Sequence, residues 1–173
     1  DGILRRIGVE WEVQRDLRTS DTSGAWAKTL EKGSAFFAEL SMLRQCGENL
    51  AGVLRGEINP LELIFPETDM SLPEFLYRDS GAMRNFNLLA QLVTHRMSTE
   101  MPRSRKVRIL EIGAGTGGTT GYVLSALSAD NVEYVFSDVS PLFLAAAERK
   151  FARHSFVTFK TLDIEKDPRG QGF

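Results

Sequence analysis

The chain has 173 residues, 42% apolar and 25% charged, with 21 basic and 23 acidic side chains and a net charge of -2. That length suits one domain, or one domain with a small helical appendage, and is enough to bury a real core. The charge balance argues against a nucleic-acid binder and against a charged disordered tail, and the single cysteine, Cys46, argues against a disulfide framework or a multi-cysteine zinc site.

The two histidines, His95 and His154, lie far apart in sequence, so no metal site is expected. No apolar run reaches the roughly 18 to 20 residues that span a bilayer, and no signal peptide opens the chain. The expectation is a soluble cytoplasmic α/β domain with neither nucleic acid nor membrane as partner.

Ile7, Val9, Trp11 and Val13 alternate with polar residues, the period of a half-buried strand. With Ile3 and Leu4 before them and a turn at Ile7-Gly8, a small hairpin is predicted. Residues 18–24 read as a polar loop. From Ser34 the period lengthens: Phe36, Phe37, Leu40 and Leu43 share a helical stripe, with Ser34 as N-cap and Gly47 as stop. A second short helix is expected over 48–54, ending at Arg55-Gly56. Pro60, Pro66 and Pro73 punctuate 56–76, which reads as a connector.

The clearest helix covers 79–97, capped by Asp79 or Ser80, with Ala82, Phe86, Leu89, Ala90, Val93 and Met97 on the apolar face. A basic linker follows at 103–106. Then the pattern alternates. Strands are predicted over 107–112, 132–137 and 156–162. A glycine turn at 113–118 leads into a helix over 119–127, and Ser140-Pro141 opens another as N-cap and N1. This order predicts a parallel sheet with right-handed crossovers. Three parallel strands make a short sheet, so a fragment of a larger domain is expected.

Five glycines fall within 113–121, in the sequence LEIGAGTGGTT from 110 to 120. A glycine turn between strand and helix lets a ligand approach the backbone and offers free N–H groups. Gly113, Gly115 and Gly118 satisfy G-x-G-x-x-G, which taken alone fits a dinucleotide. Glu111 ends the strand just before the turn, where a carboxylate repels pyrophosphate but suits a ligand carrying an ammonium and a sulfonium. With Gly117 the order becomes E-x-G-x-G-x-G, the S-adenosylmethionine (SAM) pattern. Asp138, ending the second strand, can accept two ribose hydroxyls and fits either ligand. Asp163 and Ile164, beyond the third strand, offer an acceptor for an adenine amino group and a packing face for its ring. Cys46, Trp11 and Trp26 read as packing residues, and His154, at a helix end, suits the helix dipole.

The stretches GENLAGVLRGEINPLELIFPE (47–67), LYRDS (76–80), RNFN (84–87), VRILEIGAGTGGTT (107–120), YVFSDVSPLFL (134–144) and LDIEKDPRGQGF (162–173) resemble the C-methyltransferase domain of modular polyketide synthases. The resemblance covers nearly the whole chain. It implies a Rossmann-like SAM-dependent methyltransferase core, truncated after the third parallel strand. Residues 1–78 would form a mainly helical lid subdomain and 79–173 the N-terminal half of the core.

By the same resemblance, the substrate is a β-ketoacyl chain on acyl carrier protein, methylated at its α-carbon, beside neighbouring synthase domains. SAM is the cofactor and S-adenosylhomocysteine its product. The implied cofactor residues are Tyr77, Glu111, Gly113, Ala114, Gly115, Thr116, Gly117, Asp138, Val139, Asp163 and Ile164. The family's catalytic histidine lies after the third strand, and neither His95 nor His154 matches it, so no catalytic residue is assigned. A non-catalytic scaffold, a methyltransferase acting on oxygen or nitrogen, and a nicotinamide-dependent reductase are the alternatives.

Overall fold

A computed structural model describes residues 3–14, 23–102 and 104–173. The chain divides into two compact units, Asp1–Ser34 and Ala35–Phe173.

In the first unit, β1 (Leu4–Ile7) and β2 (Glu10–Val13) form the predicted antiparallel hairpin, with Leu4 opposite Val13 and Ile7 opposite Glu10. Gly8 takes the left-handed turn position at φ +65°. The strands are exposed on both faces, and Trp11 is 63% exposed. The alternation therefore marks a strand but not the half-buried one expected, and Trp11 is not a packing residue here. Of the loop expected over 18–24, residues 18–22 lie outside the described residues. Ser23 and Gly24 instead open α1 (Ser23–Lys32), which the sequence reading missed. Ala25, Ala27, Lys28 and Leu30 supply it with good helix formers.

The second unit opens with a 3-10 turn (Ser34–Phe36), then α2 (Phe37–Leu54). This is one helix where two were expected, and its N-cap position is Phe36 rather than Ser34. Gly47 does not stop it, because a glycine ends a helix by turning left-handed. Gly56 does so at φ +74°, two residues beyond the helix. The Arg44–Glu48 pair at 2.7 Å bridges the turn that contains Gly47.

The expected connector holds two further helices, α3 (Pro60–Ile64) and α4 (Ser71–Asp79). Its prolines start helices rather than break them. Pro60 sits at N1, and Asn59 caps it by accepting the Leu61 N–H at 3.0 Å. Pro73 lies in the first turn of α4, where a missing N–H costs nothing.

Helix α5 (Gly81–Glu100) forms as predicted, but an adjacent face, which shares Ala90 with the expected one, turns inward. Met83, Asn87, Ala90, Gln91 and Thr94 are buried or half-buried, whereas Phe86, Leu89, Val93 and Met97 are exposed. Polar side chains with designated partners decide the orientation. Gln91 donates to Ser125 Oγ at 2.7 Å, and Asn87, 1% exposed, joins three segments.

The sheet follows as β3 (Val107–Ile112), α6 (Gly118–Ser125), β4 (Val132–Asp138), α7 (Pro141–Lys150) and β5 (Val157–Thr161). The strands are parallel in the order β3-β4-β5, with Ile112 opposite Ser137 and Asp138 opposite Thr161. All three carboxyl ends therefore emerge together, the edge where open α/β sheets bind ligands. Val123 and Leu124 of α6, Tyr134 and Phe136 of β4, Ala147 of α7, and Phe151 and Val157 form the core. Among the described residues, no helix is long and apolar enough to cross a membrane.

Phe136 is fully buried between Phe151 and Phe159, so Phe136→Ala is expected to cost about 3–5 kcal/mol in denaturant unfolding. Phe86→Ala, on the exposed stripe of α5, is expected to change stability by under about 0.5 kcal/mol.

Candidate functional site

The turn between β3 and α6 contains three left-handed glycines, Gly113 (φ +65°), Gly115 (φ +55°) and Gly117 (φ +69°). A side chain resists this conformation, so the path requires glycine. A Cβ at Gly113 would meet no atom, and one at Gly115 only the Gly113 carbonyl at 3.9 Å. The space beside both is open. Gly117 differs: a Cβ there would lie 2.7 Å from the Phe151 ring.

Hydrogen bonds from β4 fix the turn. The Ala114 N–H donates to the Ser137 carbonyl at 3.0 Å, and Ser137 Oγ donates to the Glu111 carbonyl at 2.6 Å. Asp138 accepts the Gly115 N–H on one carboxylate oxygen at 2.9 Å and the Ser140 N–H on the other at 2.8 Å. A carboxylate offers about four acceptor sites, so each oxygen retains capacity for another donor. On the outer side, Lys150 Nζ donates to the Thr116 carbonyl at 3.0 Å and pairs with Glu74 of α4 at 3.3 Å.

Glu111 is held by one oxygen. Its Oε2 accepts from Thr120 Oγ1 at 2.7 Å and from the Tyr134 hydroxyl at 2.6 Å. Burial pushes the Glu111 carboxyl above the usual carboxylate range, against the pull of these two donors. The Tyr134 hydroxyl is pushed up too, by burial and then by the Glu111 charge.

These groups line a cavity of about 450 Å³. Its lining includes Glu111, the turn from Gly113 to Thr116, Gly118 and Thr119 of α6, and Asp138, together with Phe65, Tyr77, Phe143 and Met83. Among the described residues, no lysine, arginine or histidine lines it.

The start of α6, which in a dinucleotide fold faces the pyrophosphate, lines the same cavity through Gly118 and Thr119 and is closely approached by α4. A Cβ at Gly118 would sit 2.7 Å from the Tyr77 carbonyl oxygen, so only glycine admits this approach of α4. Asn87 holds it there. Its Nδ2 donates to the Tyr77 and Arg78 carbonyls, both at 3.1 Å, and its Oδ1 accepts from Thr119 Oγ1 at 2.8 Å. Two carboxylates and a helix carbonyl end, with no cationic side chain among the described lining residues, oppose the α6 amino end in disfavouring phosphate and suit a ligand with positive charge and hydroxyl donors.

Known proteins match this arrangement. The family profile described as a methyltransferase domain matches residues 110–173. The non-reducing polyketide synthase mapC of Penicillium roqueforti is 38% identical over 149 residues, covering 82% of this chain and 6% of that protein. The solved CurJ carbon methyltransferase is 40% identical, with a TM-score of 0.88 over 99% of this chain and 46% of that one. The chain is thus similar to carbon methyltransferase domains of polyketide synthases, and residues 110–173 match a methyltransferase domain. The trans-methyltransferase CalH, solved in complex with SAH, is 28% identical, with a TM-score of 0.64 over 87% of this chain and 41% of CalH. The chain thus spans just under half of the CurJ carbon methyltransferase and a small fraction of mapC.

Of the expected cofactor residues, Tyr77, Glu111, Gly113, Ala114, Gly115, Thr116 and Asp138 come together around the cavity. The other expected cofactor residues do not line it. Gly117 turns toward Phe151 and serves packing. Val139 and Ile164 are 63% and 68% exposed beside it. Asp163 lies one residue past Leu162, whose N–H donates to the Asp138 carbonyl at 3.1 Å. Its carboxylate accepts the Glu165 N–H at 3.0 Å and pairs with Lys166 at 2.9 Å, contacts that hold it below the usual carboxylate range. Gln171 folds back on it, accepting the Asp163 N–H at 2.8 Å and donating to its carbonyl at 2.9 Å.

Neither histidine lines the cavity: the His154 ring packs against Phe151 and Phe156, and His95 is on α5. A cleft of about 700 Å³ beside His95 opens at the amino ends of β3 and β4, away from the ligand edge. Among the described residues, no three histidine, cysteine or acidic side chains cluster to hold a metal. Sequence reasoning missed Phe65, Phe143, Asn87 and Tyr134. All four sit inside the stretches that carry the family resemblance, which was their one available signal.

The raised Glu111 carboxyl has a consequence for stability. Folding favours its protonated form, so its contribution is fully present below the ordinary glutamate range and is lost as pH rises through the raised value. Urea unfolding across pH 4–8 is expected to show this as a falling difference between wild type and Glu111→Gln. A difference independent of pH contradicts it.

Proposed function

We propose that the chain is the cofactor-binding part of a polyketide synthase C-methyltransferase that methylates the α-carbon of a β-ketoacyl chain on acyl carrier protein. The observation that carries this reading is the cavity itself. Two carboxylates flank an open left-handed glycine turn, and among the described residues no cationic side chain lines the cavity with them. This favours SAM over a nicotinamide dinucleotide, whose pyrophosphate would meet Glu111, Asp138 and the Tyr77 carbonyl.

Glu111 attracts the cofactor ammonium with the oxygen that Thr120 and Tyr134 leave free. Gly113, Ala114, Gly115 and Thr116 lie against its methionine part, where bare backbone allows close approach. Asp138 accepts the ribose hydroxyls with the capacity left by Gly115 and Ser140. Val139, Asp163 and Ile164 receive the adenine, Asp163 through an acceptor and Ile164 through its exposed side chain. Tyr77 lines the same cavity.

Bound SAM supplies a sulfonium methyl to a carbon nucleophile, which requires an enolate and hence a general base. We assign no general base among the described residues. The site's contribution is to hold the donor in a fixed direction and to exclude water from it. Residues 1–78 act as the lid subdomain and 79–173 as the core half, within a multidomain cytoplasmic synthase.

Calorimetric titration with S-adenosylhomocysteine tests the assignment. Asp138→Ala is expected to weaken binding by about 1.5–3 kcal/mol, the loss of a charged acceptor. Asp138→Asn, which keeps one acceptor oxygen for the backbone, is expected to fall between. Unchanged affinity in both folded variants contradicts the ribose role.

A further inference from the structure

Three aromatic rings from three separate helical segments meet in the cavity that the carboxylates line. Phe65 follows α3, Tyr77 lies in α4 and Phe143 in α7. Phe65 and Tyr77 are near-parallel, 21° apart with centroids at 6.2 Å. Phe143 meets Phe65 edge-to-face at 5.2 Å and 89°. None of the three is fully buried, and each presents surface to the cavity. Packing alone would bury such rings, and an apolar ligand alone would not call for the carboxylates in the same cavity. Aromatic faces carry a negative quadrupole and attract cations most strongly where water is excluded.

We propose that Phe65, Tyr77 and Phe143 form a charge-sensing wall that recognises the cofactor's sulfonium, a specificity layer added to the ammonium and ribose contacts. The inference rests on the cofactor reading above. The sulfonium becomes a neutral thioether once its methyl is transferred to the carbon nucleophile, so the wall's attraction ends with the reaction. The wall thereby holds the donor and loosens the product, and it does so through residues that touch neither the ammonium nor the ribose.

The test compares three ligands by equilibrium binding: SAM, its analogue with an ammonium in place of the sulfonium (sinefungin), and neutral S-adenosylhomocysteine. In Phe65→Leu and Phe143→Leu, the two cationic ligands are expected to bind about three- to ten-fold more weakly, while the neutral thioether changes by less than about two-fold. Replacing Phe143 with 3,4,5-trifluorophenylalanine keeps the ring's shape and drains its face of negative charge. It is expected to act in the same direction, and it carries the test if the leucine variants do not fold. Equal weakening of all three ligands in these proteins overturns the wall and leaves the cofactor site standing. Failure of the wild-type chain to bind any of the three removes the cofactor reading, and the wall with it.

Discussion

The Asp138 carboxylate accepts the Gly115 N–H and the Ser140 N–H at once, and so fastens the turn after β3 to the start of α7. Three left-handed glycines give the chain between them much freedom to lose. That freedom is removed by bonds from a neighbouring strand, because β3 and β4 run parallel and in register to Ile112 and Ser137. The Ser137 carbonyl and hydroxyl and the Asp138 carboxylate reach the same turn from successive residues. A buried carboxylate is tolerable here because two backbone donors meet its charge. It remains able to accept more, and that residual capacity makes a structural knot usable as a ligand contact.

The electrostatics of the cavity follow from what surrounds that knot. Glu111 is anchored through one oxygen by Thr120 and Tyr134, which leaves the other uncommitted. Helix α4 presents its carbonyl end to the start of α6, held by the Asn87 amide and admitted by Gly118. The same glycine that completes the dinucleotide-like spacing is thus spent on helix packing.

The strand-helix alternation of 107–162, the glycine turn and the Glu111 and Asp138 positions were legible, because local period and residue chemistry determine them. The hairpin was legible for the same reason. The first half was less so. Gly47 and the prolines read as breaks, but a glycine breaks a helix only when its φ turns positive, and Pro60 and Pro73 occupy first-turn positions that tolerate them. The periodicity of α5 revealed a helix with an apolar stripe. It did not reveal that Asn87 and Gln91, with partners 32 and 34 residues away at Thr119 and Ser125, would turn an adjacent face inward. Phe65 and Phe143 were invisible as site residues because no local pattern brings segments nearly eighty residues apart into one wall.

The most direct measurement is a crystal structure of the chain with S-adenosylhomocysteine bound. The ribose hydroxyls are expected within hydrogen-bond distance of the Asp138 carboxylate, and the ammonium toward the free oxygen of Glu111, with the glycine turn between them. A nucleoside seated elsewhere, with Asp138 still bonded only to Gly115 and Ser140, contradicts the assignment of this cavity.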